Sequence, residues 1–427
     1  MSACSQCVHN WRTNQFTEVF FSAANGKDVS EMNFIFISPQ FPRTYWNFCD
    51  RLRRNGVNVL GIGDAPYDEL EEPLKQALTE YYRVDDMEDY GQMFRAVAFF
   101  SFKYGKIDWL ESNNEYWLEQ DARLRTDFHI TTGADEKETA NFKSKSGMKA
   151  FYAKAGVPTA RCHRIKTRKA AEKFLKEVGY PVIVKPDVGV GASDTYRLDN
   201  EEQFNNFFSD LPAVPYVMEE FVTGDIVSYD AVTNSKMEPL FESMTAFPPS
   251  IMDIVNEERE LAYCVTAEVP EALAELGRAT LKAFRVKSRF VHLEFFRLTK
   301  DKKGLGKKGD YVGLEVNMRP AGGYTPDMIN YAHSTDVYQI WADMVTADSR
   351  LLAPGGNDHF CVYASRRDGV SYVHSHEEIM ARYGGQIVMC ERMPDMIAPT
   401  MGNQMYTAHA ADGAAAAEFA AFVTQRA

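Results

Sequence analysis

Glu315, Asn317 and Arg319 occupy alternate positions in the run Gly313-Leu314-Glu315-Val316-Asn317-Met318-Arg319-Pro320-Ala321-Gly322-Gly323. In a strand, this alternation places Leu314, Val316 and Met318 on one face and the three polar side chains on the other. A carboxylate and an amide oxygen are hard ligands of the kind Mg²⁺ takes together with substrate phosphates. A guanidinium beside them can fork onto a phosphate or acyl-phosphate oxygen. The trio suits the holding of a metal–phosphate complex, although alone it reads equally well as an edge strand with a solvated polar face.

Two further stretches bear on that chemistry. Residues 289–298 (RFVHLEFFRL) alternate as a strand with His292 and Glu294 on one face, and the basic, glycine-punctuated segment 300–310 reads as the tip of a hairpin leading into the Glu315 strand. Cross-strand pairing would set Glu294 near Glu315 and Asn317, a plausible divalent-metal site. Upstream, the apolar strand 180–186 ends in Lys185-Pro186 and runs into Asp187-Val188-Gly189-Val190-Gly191-Ala192-Ser193. A lysine at the end of a buried strand delivers one fixed positive charge, and small residues after it let backbone N–H groups approach phosphate oxygens. The order excludes a Walker loop, whose lysine follows its glycines. A plain surface turn is the alternative.

The elements that must position these residues begin at a strand over 33–38, just after Met32. A helix over 44–55, a strand over 57–63, helices over about 69–80 and 88–104, a strand over 107–112 and an amphipathic helix over 115–126 follow. Strand–helix–strand with short connections implies a parallel sheet. Gly61-Ile62-Gly63 follows the second strand and is not GxGxxG, which argues against a dinucleotide site. Next come a helix over about 136–155 carrying Lys143, Lys145 and Lys149, a strand near 160–165 and a helix over 168–178 closed by Gly179. A strand over 214–225 carries Glu219 and Glu220, and an antiparallel pair covers 226–232 and 239–244. Helices are expected at about 270–285 and 325–347. The tail should hold strands at 359–365 and 386–392 and a terminal helix at 413–426, with Arg366 and Arg367 read chiefly as an ordinary surface pair.

At 427 residues the chain exceeds one ordinary core. A net charge of −13 argues against broad nucleic-acid binding, which needs a basic footprint. No apolar run is long enough to span a bilayer, and the N-terminus lacks a secretory-signal pattern. Seven scattered Cys suit reduced thiols, so the cytoplasm is the expected compartment. Cys4-Ser5-Gln6-Cys7 lacks the second pair that a zinc site wants.

Four pieces recur in order: Lys145 ten residues before Ala155-Gly156-Val157-Pro158, the Lys185 strand with its glycine loop, Met218-Glu219-Glu220-Phe221, and His292-x-Glu294 followed by Glu315-x-Asn317-x-Arg319. Together they resemble the ATP-grasp superfamily, most closely its carboxylate–amine ligase branch. The resemblance implies an α/β chain. After a leader (1–31) it would have an N-terminal βα, Rossmann-like pre-ATP-grasp domain (32–130) and an ATP-grasp α+β domain (131–350) with a mobile lid at about 157–218. A C-terminal α/β extension (351–427) would complete it.

The resemblance also implies ATP and Mg²⁺ (or Mn²⁺) as cofactors. Lys145 and Lys185 would hold the phosphates under a loop containing Gly189, Gly191, Ala192 and Ser193. Glu219, Glu220 and Val222 would line the adenine edge, and Glu294, Glu315 and Asn317 would hold the metal. Arg319, with Lys185, would serve the reacting phosphoryl group. Family members often carry a ribose-binding acid where this chain has Ile226, which leaves Asp225 as the candidate. The implied activity is an ADP-forming carbon–nitrogen ligase acting on a small-molecule carboxylate and amine, with no nucleic-acid or membrane partner; a homodimer is admissible. The alternatives are a biotin-carboxylase or carbamoyl-phosphate type of enzyme and a non-catalytic nucleotide-binding module. Against the former, Pro320-Ala321-Gly322-Gly323 stands where carboxylases continue with Val-Glu-His.

Overall fold

Phe34, Ile35, Phe36 and Ile37 are apolar in succession and all buried, which marks a strand covered on both faces. The computed structural model describes residues 32–189, 194–247, 259–356, 358–395 and 397–427. In it β1 (Asn33–Ile37) pairs in parallel with β2 (Asn58–Gly63) and β4 (Trp109–Glu111), and β2 pairs in parallel with β3 (Glu80–Arg83), giving the order β3-β2-β1-β4. The period of two divides the apolar run. Ile35 and Ile37 pack on Met93, Val97 and Phe100 of the helix Tyr90–Tyr104. Phe34 and Phe36 pack with Phe48 of the helix Trp46–Arg54 and with Trp341 of the helix Val337–Ala347. Trp341 is 1% exposed, so a residue far along the sequence closes the N-terminal core.

A small antiparallel sheet follows: β5 (Cys162–Arg164), β6 (Val182–Pro186), β7 (Tyr196–Leu198) and β8 (Tyr216–Glu220), ordered β5-β8-β6-β7. Val182, Val184, Tyr216 and Met218 pack on the helices Arg168–Val178 and Glu201–Ser209. Strand parity therefore turns Ile183, Lys185 and Glu219 the other way, where they line a cavity.

The largest sheet is antiparallel and eight-stranded. Its strands are β9 (Gly224–Thr233), β10 (Pro239–Ala246), β11 (Ala262–Val265), β12 (Arg289–Leu298), β13 (Tyr311–Asn317), β14 (Phe360–Arg366), β15 (Ile387–Arg392) and β16 (Gln404–Ala410), ordered β13-β12-β9-β10-β11-β14-β16-β15. On β12 and β13, Val291, Leu293, Phe295 and Val316, with Met318 just past the end of β13, enter a core shared with the helices Lys145–Ala155 and Glu271–Phe284. His292, Glu294, Glu315 and Asn317 face the cavity.

Several expected elements differ. The helix expected at 69–80 is only Glu72–Ala77, and the chain then extends into β3. The helix expected at 136–155 is two, Glu136–Lys143 and Lys145–Ala155, because Ser144 takes an extended conformation and its side chain caps the second helix at the Gly147 N–H. That break puts Lys145 at the first position of a helix. The helix expected at 325–347 also divides, into Thr325–His333 and Val337–Ala347, with Ser334 left-handed between them. Strict alternation fails at Leu314. A bulge opposes Glu294 to Glu315 and Phe295 to Gly313, leaving Leu314 unmatched, and it lines the cavity instead of the core. Gly313 is required there, since a Cβ would stand 2.7 Å from the buried Tyr152 ring. The close contact seats the Lys145 helix on β13.

Candidate nucleotide and metal site

A cavity of about 1130 Å³ is lined by residues from the small sheet, the largest sheet, the loop after β1 and the tail. Lys145 and Lys185 line one part of it, and Lys149 shares a carboxylate with Lys185. Lys185 Nζ lies 2.7 Å from Glu219 Oε2 and Lys149 Nζ 2.6 Å from Glu219 Oε1. Lys145 Nζ donates to the Gly189 carbonyl at 3.1 Å and stands 3.1 Å from Glu315 Oε1. Burial raises the Glu219 carboxyl, but Lys185 and Lys149 outweigh it and hold the group at about 2. Burial likewise opposes the Lys185 charge, and Glu219 and Glu315 overcome it and raise the ammonium above its ordinary value. The Lys185 ammonium is thus favoured in its charged form, and the three lysines share only the Glu219 and Glu315 carboxylates, which is the electrostatic condition for receiving phosphate.

Asp187 fixes the geometry. Its carboxylate accepts from the Ser146 N–H at 2.8 Å and from the Ser144 and Ser146 hydroxyls, and its carbonyl accepts from the Lys145 N–H at 2.8 Å. The loop after β6 is thereby tied to the start of the Lys145 helix. Asp187 was not among the residues singled out from sequence; its position after Lys185-Pro186 at a loop entrance was the available signal.

The hairpin of β12 and β13 sets Glu294 directly opposite Glu315 and His292 opposite Asn317. Burial and the facing Glu294 charge raise the Glu315 carboxyl, with Lys145 opposing. His292 Nδ1 lies 2.6 Å from Asp230 Oδ1, and Nε2 lies 3.2 Å from Glu294 Oε1. Burial disfavours the imidazolium, yet Asp230 and Glu294 raise it to about 9, so the ring donates to both. Asp230 is wholly buried and also accepts from the Ser228 and Thr245 hydroxyls. It sits mid-strand in what reads as an apolar run, and that misplaced carboxylate was the missed clue. Two facing carboxylates and a buried amide fit Mg²⁺ or Mn²⁺. Among the described residues no three His, Cys, Asp or Glu side chains converge as a metal site; Mg²⁺ usually takes one or two carboxylates and completes its shell with phosphate oxygens and water.

The other expected residues divide. Arg319 lines the cavity, and its Nη1 donates to the Pro320 carbonyl at 2.8 Å. Glu219, Glu220, Val222 and Asp225 all line it too. Strand parity turns the Glu220 carboxylate toward Arg161, from which it accepts the backbone N–H and Nη2, each at 2.8 Å. Asp225 is exposed at the start of β9. Gly191, Ala192 and Ser193 lie outside the described residues, as do Cys4 and Cys7. Arg366 and Arg367 do not line the cavity. Arg366 Nε donates to the Val423 carbonyl, and Arg367 donates to the Arg259, Ala398 and Pro399 carbonyls.

Residues 144–216 match the family model for the ATP-binding domain of the carbamoyl-phosphate synthase L chain. The L-arginine-specific L-amino acid ligase of Bacillus subtilis is 23% identical over 306 residues, spanning 68% of this chain and 69% of that protein. The crystal structure of an L-amino acid ligase from Bacillus licheniformis superposes with a TM-score of 0.66 at 14% identity, covering 91% of this chain and 96% of that one. The biotin carboxylase domain of the Hydrogenobacter thermophilus 2-oxoglutarate carboxylase, solved with MgADP, ADP and bicarbonate, gives a TM-score of 0.65 at 15% identity and covers 90% and 88%. The fold is that of the ATP-grasp enzymes. The match at 144–216 is to an ATP-binding domain, and the wider chain is similar in sequence and in fold to L-amino acid ligases.

Proposed function

We propose that the protein activates a small-molecule carboxylate with ATP and joins it to an amine, releasing ADP and phosphate. The observation that carries this reading is the convergence of Lys145, Lys185, Glu294, Glu315, Asn317 and Arg319 on one cavity. A carboxylate is a poor electrophile, and an acyl phosphate gives an attacking amine a leaving group. Phosphoryl transfer asks the protein mainly for positioning and charge neutralisation. Lys145 and Lys185 orient the phosphates. Arg319 neutralises charge on the acyl phosphate and on the tetrahedral centre formed by the amine. Glu294, Glu315 and Asn317 would hold Mg²⁺ or Mn²⁺, which supplies further neutralisation of the phosphate oxygens when bound. Glu219, Glu220 and Val222 flank the adenine, and Asp225 stands where the ribose would lie.

On this reading residues 32–130, 131–350 and 351–427 act as three domains, with about 157–218 closing over the nucleotide. No helix among the described residues is long and apolar enough to cross a membrane, and a cytoplasmic location fits the scattered thiols. The likeness to a structure holding bicarbonate supports a second reading, carboxylation. A screen of ADP release over paired L-amino acids and small carboxylates, with product masses, separates the two. Ligation requires both partners and gives a product one water lighter than their sum, whereas carboxylation requires bicarbonate.

A further inference from the structure

Glu219 carries one lysine against each carboxylate oxygen, Lys185 Nζ at Oε2 and Lys149 Nζ at Oε1. The two cations reach it from different elements. Lys185 and Glu219 project from the paired strands β6 and β8, in a register where Ile183 opposes Glu219 and Lys185 stands two places further along the same face. Lys149 comes from the helix Lys145–Ala155, one turn past Lys145 and on the same side of that helix. Of the two, Lys185 lines the cavity and Lys149 does not.

Glu219 is 4% exposed, so solvent and salt screen its charge little. Cys162, which opposes it on β5, has its thiol pushed up to about 12 by burial and adds no charge near neutral pH. Glu315, the other carboxylate acting on Lys185, is met by Lys145 at 3.1 Å. Two ammonium groups therefore stand against the one Glu219 carboxylate. Without Lys149, Lys185 would be its one remaining ion-pair partner among the described residues, and the two charges would cancel. A phosphate drawing Lys185 away would then leave a buried carboxylate uncompensated, which is the costly way to break a buried pair. With Lys149 in place, Glu219 keeps a counter-charge and the Lys185 ammonium can turn to the phosphate.

Building on the ATP site of the ligase reading, we propose that Lys149 is a positioning residue for phosphate binding: it holds Glu219 when Lys185 leaves that carboxylate for the nucleotide phosphates. Lys149 itself touches no phosphate. It sets how readily Lys185 is released, a role that the motif reading, which stopped at Lys145 and Lys185, did not include.

The test measures the affinity of the full chain, with Mg²⁺, for a non-hydrolysable ATP analogue and for adenosine, each by displacement of a fluorescent adenine nucleotide. Adenosine shares the base and sugar and has no phosphate. Lys149→Met should bind the analogue about tenfold more weakly than the wild type, which corresponds to about 1.4 kcal/mol, and adenosine within about twofold of it. Lys149→Arg keeps a cation for Glu219 and should restore most of the loss. Glu219→Gln removes the carboxylate that Lys149 holds, so adding Lys149→Met to that variant should weaken the analogue by no more than about twofold. A lysine acting directly on the phosphates would instead cost the full tenfold there. Should Lys149→Met melt early, Lys149→Gln, an uncharged donor of shorter reach, takes its place and should likewise weaken the analogue and spare adenosine. Equal losses for analogue and adenosine, an unchanged affinity for the analogue, no recovery in Lys149→Arg, or a full loss beside Glu219→Gln would overturn the proposal. ADP release with paired substrates on the same samples judges the ligase reading separately, since a selective loss of analogue binding without turnover would count against ligation and not against Lys149.

Discussion

Two clusters of buried charge meet the β12–β13 hairpin, one through Arg289 and the other through Glu315, and their wiring differs. In one, Glu111 accepts from Arg289 Nη2 at 2.8 Å and lies 3.4 Å from Arg125 Nη1. Arg289 Nε donates to the Met318 carbonyl, and Arg125 donates to the Leu110 and Ala134 carbonyls. Asp121 accepts from the Ser112 N–H and hydroxyl. Glu111, Arg125, Arg289 and Asp121 are each 4% exposed or less, and none lines the cavity. In the other cluster, Lys145, Lys149 and Lys185 rest on Glu219 and Glu315, and all but Lys149 line the cavity. Burial of charge is therefore no mark of function by itself. Planar guanidiniums held by the Glu111 carboxylate and by backbone carbonyls lock the N-terminal sheet to β12, whereas ammonium groups that share carboxylates at a cavity wall remain available to a ligand.

The comparison can be broken by substitution. Glu111→Ala leaves Arg289 and Arg125 buried without their anion, so we expect a loss of about 3–5 kcal/mol in chemical denaturation. A loss below about 1 kcal/mol would mean that the cluster is no lock. Lys185→Met should slow ADP release by about 10²–10³, or about 2.7–4 kcal/mol in the barrier. Its stability should stay near wild type, because Lys149 still holds Glu219. If it unfolded as readily as Glu111→Ala, the two clusters would be alike.

The smallest effect concerns a half-buried acid with no ion-pair partner among the described residues. Asp327, in the helix Thr325–His333, accepts from the Tyr338 hydroxyl at 3.0 Å, and burial pushes its carboxyl up to about 7. The folded state then holds a proton that the unfolded chain releases near its ordinary value of about 3.9. The resulting stabilisation is full below that value and is lost as pH rises through about 7. Melting temperature should fall by a few degrees between pH 5 and pH 8, and Asp327→Asn, neutral throughout, should flatten the slope. A wild-type profile that rises over the same interval would contradict the sign. Glu219 behaves oppositely: its contribution is present above the ordinary carboxylate range and is lost only as pH falls toward about 2.

The contrast also marks what could be read from the sequence. Period-two patterning was enough to expect β12 and β13 as a hairpin with Glu294 near Glu315, because one buried face fixes the register. It mislaid Leu314, since a bulge is a tertiary adjustment to Tyr152 that no local pattern announces. Lys145 and Lys185 were legible as lysines beside helix and loop signals, but the break at Ser144 was not, because helical spacing continues across it. Asp230, Lys149 and Asp187 depend on partners 62, 70 and 41 residues away, at His292, Glu219 and Ser146, and pairing over such distances appears only in the fold. The rest of the cavity wall draws on segments distant in sequence, among them the loop after β1, the loop after β4, β11 and the tail, so no single motif encodes it.

The central claim is that the β12–β13 edge is the catalytic edge of an ATP site. Its most direct test compares ADP release by the wild type and by Glu315→Ala, with Mg²⁺, ATP and paired amino acids, while circular dichroism monitors folding. We expect wild-type release that depends on both substrates, and none from a folded Glu315→Ala. Turnover of Glu315→Ala at the wild-type rate would contradict the assignment.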